Sequence, residues 1–152
     1  MMRVFCLEDD PCSFRIVDYL EHLGFIVDAV LELHSAVYRL EYTPGADEYD
    51  FFLFDLSVPS ATVKHKDGKT VTYQGPLPGL DFILQNKKTL LPFAEQRKVA
   101  IVTGHPNVAT EIMRRTGIDT SYINLVHIIG KGEDNFLDAI LNFLQVGLSR
   151  KD

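Results

Sequence analysis

The segment Phe51-Phe52-Leu53-Phe54-Asp55 joins four aromatic and aliphatic residues directly to a carboxylate. An apolar run without alternating polar residues is typical of a parallel strand that is covered on both faces of a sheet. We therefore predict a strand over 50–54 that ends at Asp55. Similar runs rich in β-branched and aromatic residues predict four more strands, over 4–7, 25–30, 99–102 and 126–129.

Helical patterns fill the intervals between these strands. Asp10 and Pro11 are typical of a helix start, and Gly24 is typical of its end. Four further helices are predicted over about 33–42, 80–88, 106–115 and 134–146. This alternation predicts an α/β fold, a doubly wound five-stranded parallel sheet with the flavodoxin-like strand order 2-1-3-4-5. The ligand site of such a sheet lies at the carboxyl ends of the strands.

One stretch, residues 60–78, does not fit this repeat. It contains Asp67-Gly68 between two β-branched segments, which is a signal for a type I′ hairpin. We predict a β-hairpin insertion after the third strand, which borders the active site and contributes to the choice of partner. The charges of Lys64–Lys69 are interpreted as a solvated face of this hairpin.

Composition excludes several classes of protein. The chain has 152 residues and a net charge of −6, which fits one compact domain over 1–148 with a short tail at 149–152. Direct nucleic-acid binding and membrane insertion are not expected, because basic clusters and long apolar runs are missing. Two cysteines without a metal spacing indicate reduced thiols and a cytoplasmic location. We expect Cys6 and His127 to pack in the core.

Chemically active side chains follow four of the predicted strands: Glu8 and Asp9, Asp55, Thr103, and Lys131. In a sheet of order 2-1-3-4-5 the first and third strands are neighbours, so their three carboxylates would lie together and repel one another. Lys131 offsets one of these charges. A divalent cation that prefers oxygen ligands, such as Mg²⁺, would neutralise the remaining two.

These groups meet the needs of phosphoryl transfer to an aspartate. Asp55 is the predicted nucleophile, because it leaves a rigid apolar strand, and Pro59 helps to shape the turn that follows. Thr103 supplies a hydroxyl donor and Lys131 a cation for phosphoryl oxygens.

At these strand ends the sequence resembles the receiver domain of two-component response regulators. The resemblance extends from about Arg3 to Leu144 and is interrupted by the insertion. It is carried by five segments in the order of the family, at 3–10, 54–59, 79–83, 101–104 and 129–131.

The resemblance implies a metal site that holds Mg²⁺ or Mn²⁺. Asp9 and Asp55 would bind the ion directly, Glu8 would act through water, and the backbone carbonyl of Ser57 would complete the protein ligands. Asp55 would accept its phosphoryl group from the phosphohistidine of a sensor histidine kinase or a histidine phosphotransfer protein.

The resemblance also implies how phosphorylation is sensed. Lys131 would hold one phosphoryl oxygen, and the hydroxyl of Thr103 would move to another, where Gly104 leaves room. Two positions depart from the family pattern. Gly132 stands where the family usually has a proline, and Ile128 stands where many receivers carry an aromatic residue.

The implied function is a single-domain response regulator, a switch that dephosphorylates itself rather than a turnover enzyme. We hypothesise that His105 and Ser57 tune the lifetime of the phosphoryl group. A degenerate receiver that docks without phosphorylation is the first alternative, because of Gly132 and Ile128. An aspartyl-nucleophile phosphatase of the haloacid-dehalogenase type is the second, although Ser57 stands where that family wants another aspartate. The downstream target is not predicted.

Overall fold

The computed structural model describes residues 2–9, 14–104, 106–115, 122, 125–132 and 135–149. Three residues singled out in the sequence, His105, Asp10 and Pro11, lie outside the described residues, so the proposed role of His105 stays a prediction.

Seven strands and six helices form the described structure. The strands are β1 (Arg3–Leu7), β2 (Ile26–Val30), β3 (Phe51–Phe54), β4 (Ala61–Lys64), β5 (Thr70–Tyr73), β6 (Val99–Thr103) and β7 (His127–Gly130). The helices are α1 (Phe14–His22), α2 (Leu33–Val37), α3 (Pro78–Gln85), α4 (Lys87–Glu95), α5 (Pro106–Arg115) and α6 (Phe136–Ser149). A π-helical turn, Tyr38–Tyr42, continues α2, and a short 3₁₀ turn, Ala46–Glu48, precedes β3.

Five of the strands form one parallel sheet in the order β2-β1-β3-β6-β7. Counted without the hairpin strands β4 and β5, this is the predicted order 2-1-3-4-5, so the predicted fold class is confirmed. Each sheet strand lies within one residue of its predicted bounds. The apolar runs predicted the strands well because both faces of the sheet are covered, so consecutive residues of a central strand are apolar.

Alternate residues of the central strands belong to two separate cores. On β3, Phe52 and Phe54 pack into one core with the hairpin, α2, α3 and α4. Phe51 and Leu53 pack into the other, with α1 and α6. Burying both sets removes apolar surface from water on both sides of the sheet, which is the main favourable contribution to folding.

Helix α4 was not predicted. The sequence pattern was interpreted as one helix over 80–88, whereas α3 ends at Gln85 and α4 continues to Glu95. Pro92 lies inside α4 and obscures its pattern, since a proline within a helical stretch normally marks an end. Leu90 and Ala94, four residues apart, are both buried, which explains why the helix is stable here.

The insertion forms the predicted hairpin, in which Lys64 pairs with Thr70. Its turn differs from the predicted type I′. That type requires positive φ at both central residues, but among the described non-glycine residues only Arg97 has a positive φ, so Asp67 does not. Gly68, with a φ of 90°, donates its N–H to the carbonyl of His65. This arrangement is typical of a three-residue hairpin loop with a bulge.

The prediction for His127 was wrong, and that for Cys6 is confirmed. His127 begins the edge strand β7, is exposed, and stacks on Phe143 with ring centroids 5.6 Å apart. Cys6 is buried in the central strand β1, and burial raises the pKa of its thiol to about 12. Within the described ranges, no helix is both long and apolar enough to cross a membrane.

Candidate metal and phosphoacceptor site

The backbone ladder of the sheet continues one residue beyond the strands and fixes the site. The N–H of Asp55 donates to the carbonyl of Leu7 at 2.8 Å, and that of Lys131 donates to the carbonyl of Thr103 at 2.8 Å. Glu8 is held in the same way by a carbonyl of β2 at 2.9 Å. The predicted strand-end residues are therefore brought together by hydrogen bonds within the sheet.

Three carboxylates meet at this edge. Glu8, Asp9 and Asp55 each place an oxygen within 4.8 Å of the other two, and no other group of this kind occurs among the described residues. Glu8 and Asp55 are almost fully buried, at 3% and 4% exposed, whereas Asp9 is exposed. Buried like charges at this separation are unfavourable unless a cation balances them.

Lys131 provides part of that balance. Its Nζ lies 2.7 and 2.6 Å from the two carboxylate oxygens of Glu8 and 3.4 Å from Oδ2 of Asp55. One ammonium facing three carboxylates leaves two negative charges if all three are ionised. The lysine is paired primarily with Glu8, so it would move if it were to hold a group attached to Asp55.

The pKa values reflect burial first and the neighbouring charges second. Burial, followed by the hydrogen bond with Asp55, raises the pKa of Glu8 to about 8. Burial and then Asp55 also raise the pKa of Asp9. For Lys131, burial favours the neutral amine, but Glu8 and Asp55 outweigh it and the pKa rises. A site that draws a proton onto a carboxylate near neutral pH is one that a metal ion can also stabilise.

The donor set fits Mg²⁺ or another cation that prefers oxygen. Carboxylate oxygens of Glu8, Asp9 and Asp55 are hard ligands, and the exposed position of Asp9 gives the ion a route from solvent. The N–H of Ser57 donates to Oδ1 of Asp55 at 3.2 Å, which orients that carboxylate. The predicted metal role of the Ser57 carbonyl stays a prediction.

Thr103 ends β6 and is fully buried. Its carbonyl accepts from Lys131, and its strand position pairs with Gly130. The two residues predicted to contact phosphoryl oxygens are thus neighbours in the sheet. Added at Gly104, a Cβ would meet no atom within 4 Å, so there is open space after Thr103.

Gly79 is a residue of the site whose role the sequence did not reveal. A Cβ at this position would lie 2.4 Å from the carbonyl oxygen of Asp55 and 2.7 Å from Cα of Leu56. The N–H of Gly79 also donates to the carbonyl of Leu56 at 2.9 Å. Helix α3 therefore begins directly against the backbone of the phosphoacceptor. Pro78-Gly79 was visible in the sequence, but only the contact explains why a glycine is required.

The hairpin packs against α2 and α3, and its attachment was also missed. His65 is buried between two partners: its Nδ1 lies 2.5 Å from Oε1 of Glu41, and its Nε2 lies 2.6 Å from the hydroxyl of Tyr73. Asn86 donates to the same hydroxyl at 3.0 Å and to the carbonyl of Phe82 at 2.8 Å. We call Glu41, His65, Tyr73 and Asn86 the hairpin network.

The two departures from the family pattern are visible near Lys131. Among the described peptide bonds only Thr43–Pro44 is cis, so the bond from Lys131 to Gly132 is trans. Ile128 is partly buried and packs against the core on the hairpin side of the sheet. The place of the usual aromatic residue is therefore taken by an aliphatic side chain.

Comparison with known proteins agrees with this geometry at the level of fold. No protein-family model and no curated protein sequence matches the chain. Solved structures do match it. A CheY-like response regulator receiver domain from Methanospirillum hungatei JF-1 is 16% identical with a TM-score of 0.62, over 99% of this chain and 97% of that one. The receiver domain of Francisella response regulator 1452 is 14% identical with a TM-score of 0.63, over 100% of both chains.

A third similar structure contains an ion. It is the receiver domain of the sensor histidine kinase PA1611 from Pseudomonas aeruginosa PAO1, with magnesium coordinated in its active-site cleft. It is 16% identical with a TM-score of 0.57, over 97% of this chain and 98% of that one. The chain has the fold of CheY-like response regulator receiver domains.

Proposed function

We propose that this protein is a signalling receiver that accepts a phosphoryl group on Asp55 in a Mg²⁺-dependent reaction. The observation that carries the proposal is the buried Asp55 at the end of the central strand, with Glu8, Asp9 and Lys131 around it. The receiver fold supports a role in signal transduction. The donor would be the phosphohistidine of a sensor histidine kinase or of a histidine phosphotransfer protein.

In the transfer step a carboxylate oxygen of Asp55 attacks phosphorus. A P–O bond forms, the P–N bond breaks, and its electron pair stays on the histidine ring of the donor. The N–H of Ser57 holds one oxygen of Asp55 in place at 3.2 Å. A bound Mg²⁺ supplies positive charge for the phosphoryl oxygens, and Lys131 supplies more.

The switch would follow from new contacts to the phosphoryl group. Lys131 would exchange its bond with Glu8 for one with a phosphoryl oxygen, and Thr103 would contribute its hydroxyl. Because β6 ends at Thr103, motion there is passed to the chain that leads into α5. The signal would leave by docking of this altered surface onto a target protein. Loss of the phosphoryl group to water would reset the switch, at a rate tuned by Ser57 and His105.

The test is phosphorylation of the whole chain by acetyl phosphate with and without Mg²⁺, followed by electrophoretic separation of phosphorylated and free protein. We expect a Mg²⁺-dependent phosphorylated band for the wild type and none for Asp55→Asn. The matched control is Asp18→Asn, which makes the same change on the exposed face of α1 and should leave the band unchanged.

The remaining outcomes separate the alternatives. If the protein neither binds Mg²⁺ nor becomes phosphorylated, the proposal is overturned, and a degenerate receiver that only docks is favoured. Multiple turnovers of a phosphomonoester, dependent on Asp55, would instead favour the phosphatase. Unchanged autodephosphorylation in His105→Ala would remove that residue from the proposal without affecting Asp55.

A further inference from the structure

An exposed aromatic and basic surface lies where the hairpin meets α2. We define the hairpin–helix surface as Leu31, Tyr38, Arg39, Tyr42 and Lys66. Its three large apolar side chains are exposed: Leu31 by 58%, Tyr38 by 54% and Tyr42 by 50%. The two tyrosine rings are stacked with centroids 5.8 Å apart, and Nζ of Lys66 lies 5.8 Å from the Tyr42 ring.

This surface is continuous with the phosphoacceptor loop. An open groove of about 650 Å³ is lined by Leu31, Tyr38, Arg39 and Pro59, among other residues. Pro59 belongs to the segment that joins Asp55 to the hairpin, and Leu31 follows the strand whose carbonyl holds Glu8. A partner bound in the groove would therefore lie next to the site.

The hairpin network holds this surface in one arrangement. Glu41 accepts from His65 with one oxygen and from the N–H of Lys66 with the other, at 2.8 Å. Both oxygens of this acid are therefore occupied, and the backbone of Lys66 is fixed beside Tyr42. His34 also lines the groove, and its Nε2 lies 3.0 Å from the carbonyl of Thr62 in β4. A surface that is ordered before binding loses less conformational entropy on association.

The exposed lysines of the hairpin favour a negatively charged partner. The hairpin has three lysines, Lys64, Lys66 and Lys69, and one aspartate, although the chain as a whole has a net charge of −6. That aspartate, Asp67, accepts the N–H of Lys69 at 2.9 Å. Arg39 also lines the groove, and its Nη1 lies 4.0 Å from Oδ2 of Asp28. Glu32 is the acidic residue among the groove's lining residues.

We infer that the hairpin–helix surface binds an acidic segment of a partner protein, which inserts an aliphatic or aromatic side chain between Tyr38 and Pro59. Tyrosine and arginine are the residue types that most often dominate binding free energy, and the lysines would provide charge complementarity. The inference extends the proposed function by naming the chemistry of a partner. It does not require Asp55 to be phosphorylated.

The experiment is selection of random twelve-residue peptides displayed on phage against the immobilised whole chain, followed by affinity measurements on synthetic copies. We expect the selected peptides to be enriched in aspartate and glutamate around an apolar residue. Tyr38→Ala, Tyr42→Ala and Lys66→Gln should each weaken their binding about tenfold. The matched controls are Leu23→Ala and Lys88→Gln, which remove an exposed apolar side chain and an exposed positive charge elsewhere and should not change the affinity.

Selected peptides without acidic enrichment, or peptides whose affinity survives all three substitutions, would overturn the inference. If Lys66→Gln reduced the affinity for DNA more than the affinity for peptides, the partner would be a nucleic acid, and the inference would be overturned. If the protein formed a dimer that is lost in Tyr38→Ala, the partner would be a second copy of the chain, which would also overturn it. Asp55→Asn should bind the peptides as tightly as the wild type. A protein that is not phosphorylated could therefore still bind the peptides, so the two proposals are tested separately.

Discussion

Two polar clusters in the described part of the chain differ in how their charges are balanced. In the hairpin network every group has a partner, because His65 is hydrogen-bonded to both Glu41 and the hydroxyl of Tyr73, and Asn86 donates to that hydroxyl. At the carboxyl ends of the strands, three carboxylates face one lysine. The first cluster is balanced by its own hydrogen bonds, whereas the second contains more carboxylates than cations.

The difference indicates what each cluster is for. A buried polar network with all hydrogen bonds formed rigidifies a structure and specifies one arrangement. Among the buried side-chain nitrogen and oxygen atoms of the described residues, only Nε of Arg3 lacks a hydrogen bond, and it lies 3.3 Å from Oδ2 of Asp28. An excess of buried negative charge, by contrast, is tolerated where a cation is bound during function. We therefore expect substitutions to reduce stability at the network and to change ligand binding at the strand ends.

The largest effect is expected at Gly79, where α3 begins against the backbone of Asp55. In Gly79→Ala the new Cβ would overlap the backbone of Asp55 and Leu56, and a helix start and a strand end cannot both shift at low cost. We expect a loss of about 3 kcal/mol in the free energy of unfolding, measured by urea denaturation. Gly104→Ala and Gly132→Ala are controls because neither Cβ would meet an atom within 4 Å. A tolerated Gly79→Ala would contradict the contact.

The next effect concerns the network alone. His65→Ala removes one hydrogen-bond partner from Glu41 and one from Tyr73 at once. We expect a loss of about 2 kcal/mol in stability. The affinity for Mg²⁺, measured by isothermal titration calorimetry, should change by less than about twofold, since the two clusters share no residue. If the same substitution abolished metal binding, the clusters would be one coupled unit.

The sheet was predictable from the sequence, while the attachment of the hairpin was not. A strand buried on both faces shows its whole pattern in consecutive residues, as in Phe51–Phe54, and parallel order then brings Glu8 and Asp55 together. The hairpin network needs contacts between Glu41, His65 and Asn86, which are far apart in sequence and follow no spacing. The helix Lys87–Glu95 was missed for a local reason, the internal Pro92.

The pairing of Lys131 was also beyond the sequence. Residue type predicts a cation near the carboxylates, but the choice of Glu8 over Asp55 as its nearer partner depends on differences of less than 1 Å, from 2.6 to 3.4 Å. Likewise, the sequence shows that a glycine stands at position 79. Only the structure shows that its lack of a side chain lets α3 approach the backbone of Asp55.

A third prediction uses the raised pKa of Glu8, which is about 8. Below that pH a proton on Glu8 competes with the metal ion, and above it the carboxylate is ionised. The affinity for Mg²⁺ should therefore rise about tenfold between pH 7 and pH 9, with proton release on binding at the lower pH. Titrations in two buffers of different ionisation enthalpy measure this release. Glu8→Gln should remove the pH dependence, whereas the exposed control Glu21→Gln should retain it.

The smallest effect is on the stability of the metal-free protein. The pKa of Glu8 rises from 4.5 to about 8 on folding, so the folded state binds more protons, and this contribution to stability is lost as pH rises through that interval. Asp55→Asn removes one of the charges responsible. At pH 8.5 with a chelator, we expect this variant to be about 1 kcal/mol more stable than the wild type. Added Mg²⁺ should reverse the order, because only the wild type keeps all three carboxylates. A metal-free Asp55→Asn that is less stable would mean that the site is already balanced, like the hairpin network.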